Sequence, residues 1–437
     1  MTIPTPEPTD GDTAWFVRDR FGLFIHWGLY ALPARHEWVK SHERITTADY
    51  EKYFRHFDPD LYDPTLWAEA AANAGMKYFV ITTKHHEGFC LWDSALTEYK
   101  VTNTPYGKDV LRPMVHAFRE RNLRVGFYHS IIDWHHPDYT LDIHHPQRDD
   151  AAYRAADAER DMKRYADYLH GQTRELLTQF GAVDILWYDF TPGPDGDPNR
   201  NLPRKSRESW QSETLVKLVR DLQPGIILND RLDLPDGWDI KTPEQFQPRG
   251  WVRHEGKPVV WEACQTFSGS WGYHRDESSW KSVEMLILML IDTVSKGGNL
   301  LLNVGPTGRG EFDERALSRL AGMGEWMKRH SRSIYGCTQA PVEFGNAPTD
   351  CRYTYNPTTR RLYVHVLAWP FGQLYLDGLG NRVEYAQLLN DASEVRMQDV
   401  EPWQAVGGNA GGKDTLALRL PIQKPNVTVP VIELYLK

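Results

Sequence analysis

The stretch VDILWYDF, residues 183–190, reads as a buried β-strand of aliphatic and aromatic residues, yet a carboxylate, Asp189, stands near its end. A carboxylate among apolar walls costs free energy unless it is paired or has a chemical task. Side chains alternate along a strand, so Trp187 and Asp189 share one face while Leu186 and Tyr188 take the other. If Asp189 points into a cleft, Trp187 lies beneath it as an apolar wall.

On either side of this stretch, short apolar runs alternate with amphipathic helical segments from about residue 21 to 336. The runs are FGLFIHWG (21–28), KYFVITTKH (77–85), LRVGFYHS (123–130), VDILWYDF (183–190), GIILNDR (225–231), GWDIKTPE (237–244), PVVWEACQTF (258–267) and GNLLLNVGP (298–306). Strand and helix in alternation predict βα units and a parallel sheet, and eight such strands suggest a closed barrel. One long helix is expected over AAYRAADAERDMKRYADYLHGQTRELLTQFG, residues 151–181. Only LDLPD separates the fifth and sixth strands, too short for a helix, so the expectation is a (β/α)₈-like barrel that is irregular around strands 5–6. After RSIYGCTQAP the pattern changes to alternating runs such as RRLYVHVLAW and PVIELYLK, broken by Gly, Pro and Asn. That reads as a C-terminal antiparallel β-sandwich, dividing the chain into residues 1–336 and 337–437.

A chain of 437 residues has room for two or three domains and a large core. Its formal charge of −9 argues against nucleic acid and anionic membranes, which reward clusters of Lys and Arg. A neutral small-molecule substrate fits better. The 16 Trp and 21 Tyr are many; surplus aromatics often line sugar sites, although packing is their commoner use. The four cysteines, Cys90, Cys264, Cys337 and Cys351, lack metal or redox spacing and are expected as reduced core thiols. No stretch has the composition of a signal peptide or a membrane span, so the expected setting is cytoplasmic.

Chemistry in a barrel gathers at the carboxyl ends of the strands. Here those ends carry His26, His85-His86, Tyr128-His129-Ser130, Asp189, Asn229-Asp230-Arg231, Glu244, Glu262 and Asn303. Alternation places Phe24 beside His26 and Asn229 beside Arg231, but leaves open whether Tyr128 or His129 faces the mouth. A metal-dependent hydrolase would want H-x-H or H-x-x-x-H at these ends, and neither occurs there. A phosphate-using barrel would want a Gly-rich anion cradle, and KGG (296–298) reads rather as a helix cap. Glycoside hydrolysis is met with less strain. It needs two carboxyl groups, hydrogen-bonding side chains for ring hydroxyls and an aromatic wall.

The ordered set FGLFIHWG, HEWV, TTKHHEGFCLWDS, GFYHSIIDW, LWYDF, LNDR, TPE, WGY and SKGGNLLLNVGPTGRG resembles the glycoside hydrolase family 29 α-L-fucosidases, over residues 15–334. The resemblance implies retaining hydrolysis of terminal α-linked L-fucose on a barrel followed by a β-sandwich, with no metal and no organic cofactor. It places Asp189 as nucleophile and Glu244 as general acid/base. It places His26, Glu37, Trp38, His85, His86, His129, Trp187, Arg231 and Trp271 as contacts to the sugar, Trp271 near its methyl group. Glu262 is expected as a buried structural partner, and Glu87 behind the site rather than in the chemistry. The implied partner is a fucosylated glycan or small molecule; homo-oligomerisation, linkage preference and transfucosylation are left open. A catalytically silent fucose-binding protein and a metal-dependent barrel hydrolase stand as the alternatives.

Overall fold

The computed structural model describes residues 2–189, 205–398, 412 and 414–437. Seven strands form one parallel sheet: β1 (Phe21–Ile25), β2 (Tyr78–Lys84), β3 (Arg124–Ser130), β4 (Ile185–Asp189), β5 (Ile227–Leu228), β8 (Glu262–Thr266) and β9 (Asn299–Val304). Their order is β5-β4-β3-β2-β1-β9-β8. Between β5 and β8 lies a short antiparallel hairpin, β6 (Arg253–His254) and β7 (Lys257–Pro258). Phe190, the last residue of the VDILWYDF run, lies outside the described residues.

The expected sixth strand is where the barrel departs from regularity. Residues 240–244 form no continuous strand, but they bridge the two free edges of the sheet through single parallel pairings: Asn229 with Ile240, Lys241 with Trp261, and Glu244 with Cys264. Lys241 donates its N–H to Val260 and accepts from Glu262, and Cys264 donates to Pro243. The proline has no N–H for a ladder, so pairing through it is one-sided. The short connection sensed in the sequence thus closes the ring with broken pairing.

Alternation sorts the strand side chains into two layers. Phe24, Tyr78, Val80, Tyr128, Ile185, Trp187, Cys264 and Leu301 fill the barrel interior. Leu23, Ile25, Phe79, Ile81, Phe127, Leu186, Tyr188, Leu300 and Leu302 face the helices. Gly22 sits inside because a Cβ there would come within 2.3 Å of the Tyr78 ring, which plugs the floor. The helices start where side chains can accept their orphan N–H groups: Asp63, Asp161, Ser282 and Asp313 each cap one. The long helix expected over 151–181 is broken into Ala151–Ala155, a 3₁₀ turn and Met162–Gln179. Asp161 has left helical backbone and caps the second helix through the N–H of Lys163. A local capping bond there outcompetes continuation.

The C-terminal part holds β10 (Cys351–Asn356), β11 (Arg361–Val366), β12 (Gln373–Asp377), β13 (Val383–Leu388), β14 (Arg396–Gln398), β15 (Thr415–Arg419) and β16 (Val431–Leu436). They make antiparallel sheets in the orders β10-β11-β16-β13 and β12-β15-β14. Leu362, Val364, Leu376, Leu418, Ile432 and Leu434 form its own core. It docks on the barrel helices through Trp326 Nε1 to the Val429 carbonyl (2.9 Å) and Arg352 to Asp292 (3.1 Å).

Candidate active site

At the carboxyl end of the barrel strands lies a cavity of about 80 Å³ lined by Phe24, His26, Trp38, His85, His86, Tyr128, Trp187, Asp189, Arg231, Glu244, Cys264 and Trp271. Strand alternation accounts for Phe24 with His26 and Trp187 with Asp189. Tyr128 is in register with Trp187, so both project to the same side. The Tyr128 and Trp187 rings are nearly parallel, 5.8 Å apart, and Phe24 lies 5.4 Å from Trp187. These rings give the cavity an apolar floor.

Asp189 Oδ2 accepts the Tyr128 hydroxyl at 2.7 Å, and Oδ1 accepts Arg231 Nη1 at 3.1 Å. Arg231 Nη2 donates to Glu244 Oε2 at 2.8 Å. Burial pushes the Asp189 carboxyl above its ordinary range; Arg231 opposes this, and the Glu244 charge adds to it. The two carboxylates differ in access. Asp189 is 14% exposed and Glu244 39%, so the second stands at the mouth.

The imidazoles are held by polar groups outside the cavity. His26 Nδ1 lies 2.6 Å from Asn303 Oδ1, while Asn303 Nδ2 donates to the Trp271 carbonyl at 2.6 Å. The amide oxygen therefore faces His26, which must carry its proton on Nδ1. His86 Nδ1 lies 2.6 Å from Ser130 Oγ, whose own proton goes to the Ile132 carbonyl. The same tautomer follows. Burial, reinforced by the neighbouring His85, holds both imidazoles well below the usual histidine range. Neutral rings with Nδ1–H leave Nε2 as an acceptor, and His86 Nε2 stands 3.8 Å from Asp189 Oδ2.

Of the eleven residues expected at the site, nine line the cavity and two do not. His129 is the first correction: it lies on the helix side of β3, with Nδ1 3.0 Å from Thr83 Oγ1 and its ring 5.9 Å from Trp92. Tyr128 takes the inward place, as one step along a strand reverses the face. Glu37 is not among the lining residues, and its Oε1 is buried with no hydrogen-bond partner among the described residues. Its Oε2 accepts the N–H groups of Trp271 (3.1 Å) and Gly272 (2.8 Å), so it anchors the segment carrying Trp271. Alternation also fails to pair Asn229 with Arg231. Asn229 exchanges hydrogen bonds with the Tyr188 backbone, and β5 ends at Leu228 before the chain reaches Arg231.

Glu262 is fully buried under the floor and accepts the Tyr78 hydroxyl at 2.5 Å, as expected of a structural partner. The anchoring roles of Asn303 and Ser130 escaped the sequence reading; their places at strand ends were the available signal. Among the described residues no group of three or more His, Cys, Asp or Glu is arranged to hold a metal, and no helix is long and apolar enough to cross a membrane.

The α-L-fucosidase family model matches residues 4–332. α-L-Fucosidase isoenzyme 1 from Paenibacillus thiaminolyticus superposes with a TM-score of 0.89 at 46% identity, covering 97% of this chain and 98% of that one. A glycoside hydrolase family 29 α-L-fucosidase from Bacteroides thetaiotaomicron, solved as a trapped covalent intermediate with 2-fluoro-fucosyl fluoride, gives 0.82 at 28% identity, covering 99% and 98%. The α-L-fucosidase of Dictyostelium discoideum is 27% identical over 96% of this chain and 91% of its own length. With a barrel, a sandwich and a paired-carboxylate cavity at the strand ends, the chain belongs to the α-L-fucosidase family, glycoside hydrolase family 29.

Proposed function

We propose that the protein is a retaining exo-α-L-fucosidase with Asp189 as nucleophile and Glu244 as general acid/base. The observation that carries this reading is the pair of carboxylates facing one small cavity, the first enclosed and the second at the mouth. Asp189 attacks the anomeric carbon while Glu244 gives its proton to the departing glycosidic oxygen, leaving a fucosyl ester on Asp189. Glu244 then takes a proton from water, which opens the ester with a second inversion. The trapped intermediate of the Bacteroides enzyme supports the two-step course.

The remaining residues suit a neutral deoxy sugar. His26 and His86 offer Nε2 lone pairs to ring hydroxyls, while Phe24, Trp187 and Trp271 offer a surface to a methyl group. The cavity is small, about 80 Å³, and is walled by the Phe24, Tyr128 and Trp187 rings, which suits a single terminal sugar better than the interior of a chain. The substrate is therefore a terminal fucose on a glycan or small aglycone. A cytoplasmic setting belongs to the same proposal, supported by four cysteines that are all buried and unpaired.

The test is proton NMR of fucose released from an aryl α-L-fucoside. The α-anomer is expected first, followed by mutarotation. β-Fucose as first product would overturn retention, and tight fucose binding with no release would favour the silent binding protein.

A further inference from the structure

In the segment HHEGF, residues 85–89, a third ionisable side chain stands behind the two cavity imidazoles. Glu87 is 2% exposed, and its Oε2 lies 3.4 Å from His85 Nδ1. Neither Glu87 oxygen has a hydrogen-bond partner among the described residues, and neither does His85 Nδ1. The strand end makes room for this carboxylate: a Cβ on Gly28 would lie 3.0 Å from Glu87 Oε1. Lys40, two residues beyond the cavity residue Trp38, is also buried; its ammonium stands 5.0 Å from the centre of the Tyr50 ring and has no hydrogen-bond partner among the described residues. Burial pulls Lys40 down to about 8, and Glu87 leads the charges that oppose this. A buried carboxylate so poorly compensated needs an explanation.

The other two imidazoles show what is different about His85. His26 and His86 have their Nδ1 atoms engaged by an amide and a hydroxyl, both neutral. Of the three rings, only His85 has a carboxylate facing its Nδ1 among the described residues. The two nitrogens lie on opposite edges of the ring, so a contact that engages Nδ1 turns Nε2 toward the cavity that His85 lines. A carboxylate behind an imidazole fixes its tautomer and rotation and makes the far nitrogen a stronger base. A separation of 3.4 Å is long for a hydrogen bond, and contacts of this kind shorten when a ligand engages the other side of the ring.

We infer that Glu87 is a positioning residue for sugar binding: it accepts the Nδ1 proton of His85 and thereby presents Nε2 as the strongest acceptor for a sugar hydroxyl. The identity of that sugar rests on the fucosidase reading. A merely structural Glu87 would leave the sugar affinity alone, or weaken it whether or not His85 is present.

A double-mutant cycle separates these cases. Affinity for a fucose-configured iminosugar is measured by calorimetry in the wild type, Glu87→Gln, His85→Ala and the double variant, with KM and kcat on an aryl α-L-fucoside and the thermal midpoint alongside. Glu87→Gln is expected to raise Kd and KM about 10-fold with kcat changed less than about twofold, and to add no further loss once His85 is alanine. Unchanged Kd in folded Glu87→Gln overturns the inference, as does an equal loss in both backgrounds. If Glu87→Gln does not fold, Glu87→Asp withdraws the carboxylate by one methylene and must show the same rise and the same non-additivity; an unchanged Kd there overturns it too. Absence of fucose release by the wild type would instead overturn the fucosidase reading, leaving the binding cycle to report on Glu87.

Discussion

Arg231 joins Asp189 to Glu244: Nη1 lies 3.1 Å from Asp189 Oδ1 and Nη2 lies 2.8 Å from Glu244 Oε2. Thr242 holds the guanidinium from behind, through its hydroxyl and its carbonyl, each at 3.1 Å. The Trp187 ring centre lies 4.7 Å from the guanidinium carbon. One fixed cation thus stands between two carboxylates that would otherwise repel.

That arrangement sets the pH dependence. Burial raises the Asp189 carboxyl, and Arg231 is the main influence holding it down. As the proposed nucleophile, Asp189 must be ionised, so activity is expected to fall as pH drops through its folded pKa. In Arg231→Met the restraint is gone and the carboxyl rises further. The acidic limb of kcat/KM is expected to move to higher pH, with the maximum lowered by about 10²-fold. A limb that stays in place would show that another group sets it.

Asp189→Gly is expected to lower turnover of an aryl α-L-fucoside by about 10³-fold or more while leaving the thermal midpoint near that of the wild type. Azide should restore slow turnover and give the inverted β-fucosyl azide. Substantial activity in this variant would remove Asp189 from the mechanism.

For Glu244→Ala the expected signature is dependence on the leaving group. A general acid matters most where the leaving group is poor, so hydrolysis of a fucosylated oligosaccharide should fall far more than fucosylation by a dinitrophenyl fucoside. The second substrate should show a burst followed by a slow phase. Uniform slowing of both would reduce Glu244 to a binding residue and reopen the search for the acid.

The exchange of His129 for Tyr128 is directly testable. Tyr128→Phe removes the hydroxyl that Asp189 accepts at 2.7 Å, a bond to a charged group worth about 1.5–3 kcal/mol, so kcat/KM should fall roughly 10- to 100-fold. His129→Gln, behind the sheet, should leave the affinity for a fucose-like inhibitor within about twofold. The reverse outcome would return His129 to the cavity.

Glu262 predicts a stability effect away from the chemistry. Burial raises its carboxyl from 4.5 to about 8. The folded state then keeps a proton that the unfolded chain releases, so this group's contribution is present at low pH and is lost as pH rises between 4.5 and 8. Glu262→Gln removes the effect. The midpoint of the variant relative to wild type should rise across that window and level off above it, with a total difference on the order of a few kcal/mol. A difference that does not vary with pH would show Glu262 to be ionised throughout.

Local periodicity was enough to read much of this molecule. The eight apolar runs, the change to alternating strands after residue 336 and the poor spacing before residues 240–244 are all properties of neighbouring residues. So is the shared face of Trp187 and Asp189, because side chains on a strand repeat every two residues. The break at Asp161 was also local, but weaker: in a long run of helix formers, one capping aspartate is easily outweighed until its bond to Lys163 is seen.

What the tertiary structure alone decided was the choice among distant partners. Whether Tyr128 or His129 faces inward depends on register with β4, where Tyr128 stands opposite Trp187. Glu37 reaches the Trp271 segment across 234 residues, and His26 reaches Asn303 across 277. Buried carboxylates and imidazoles are as a rule hydrogen-bonded. Nothing in its neighbours along the chain says whether the barrel, once closed, will supply that bond from a sugar, a loop or the sheet.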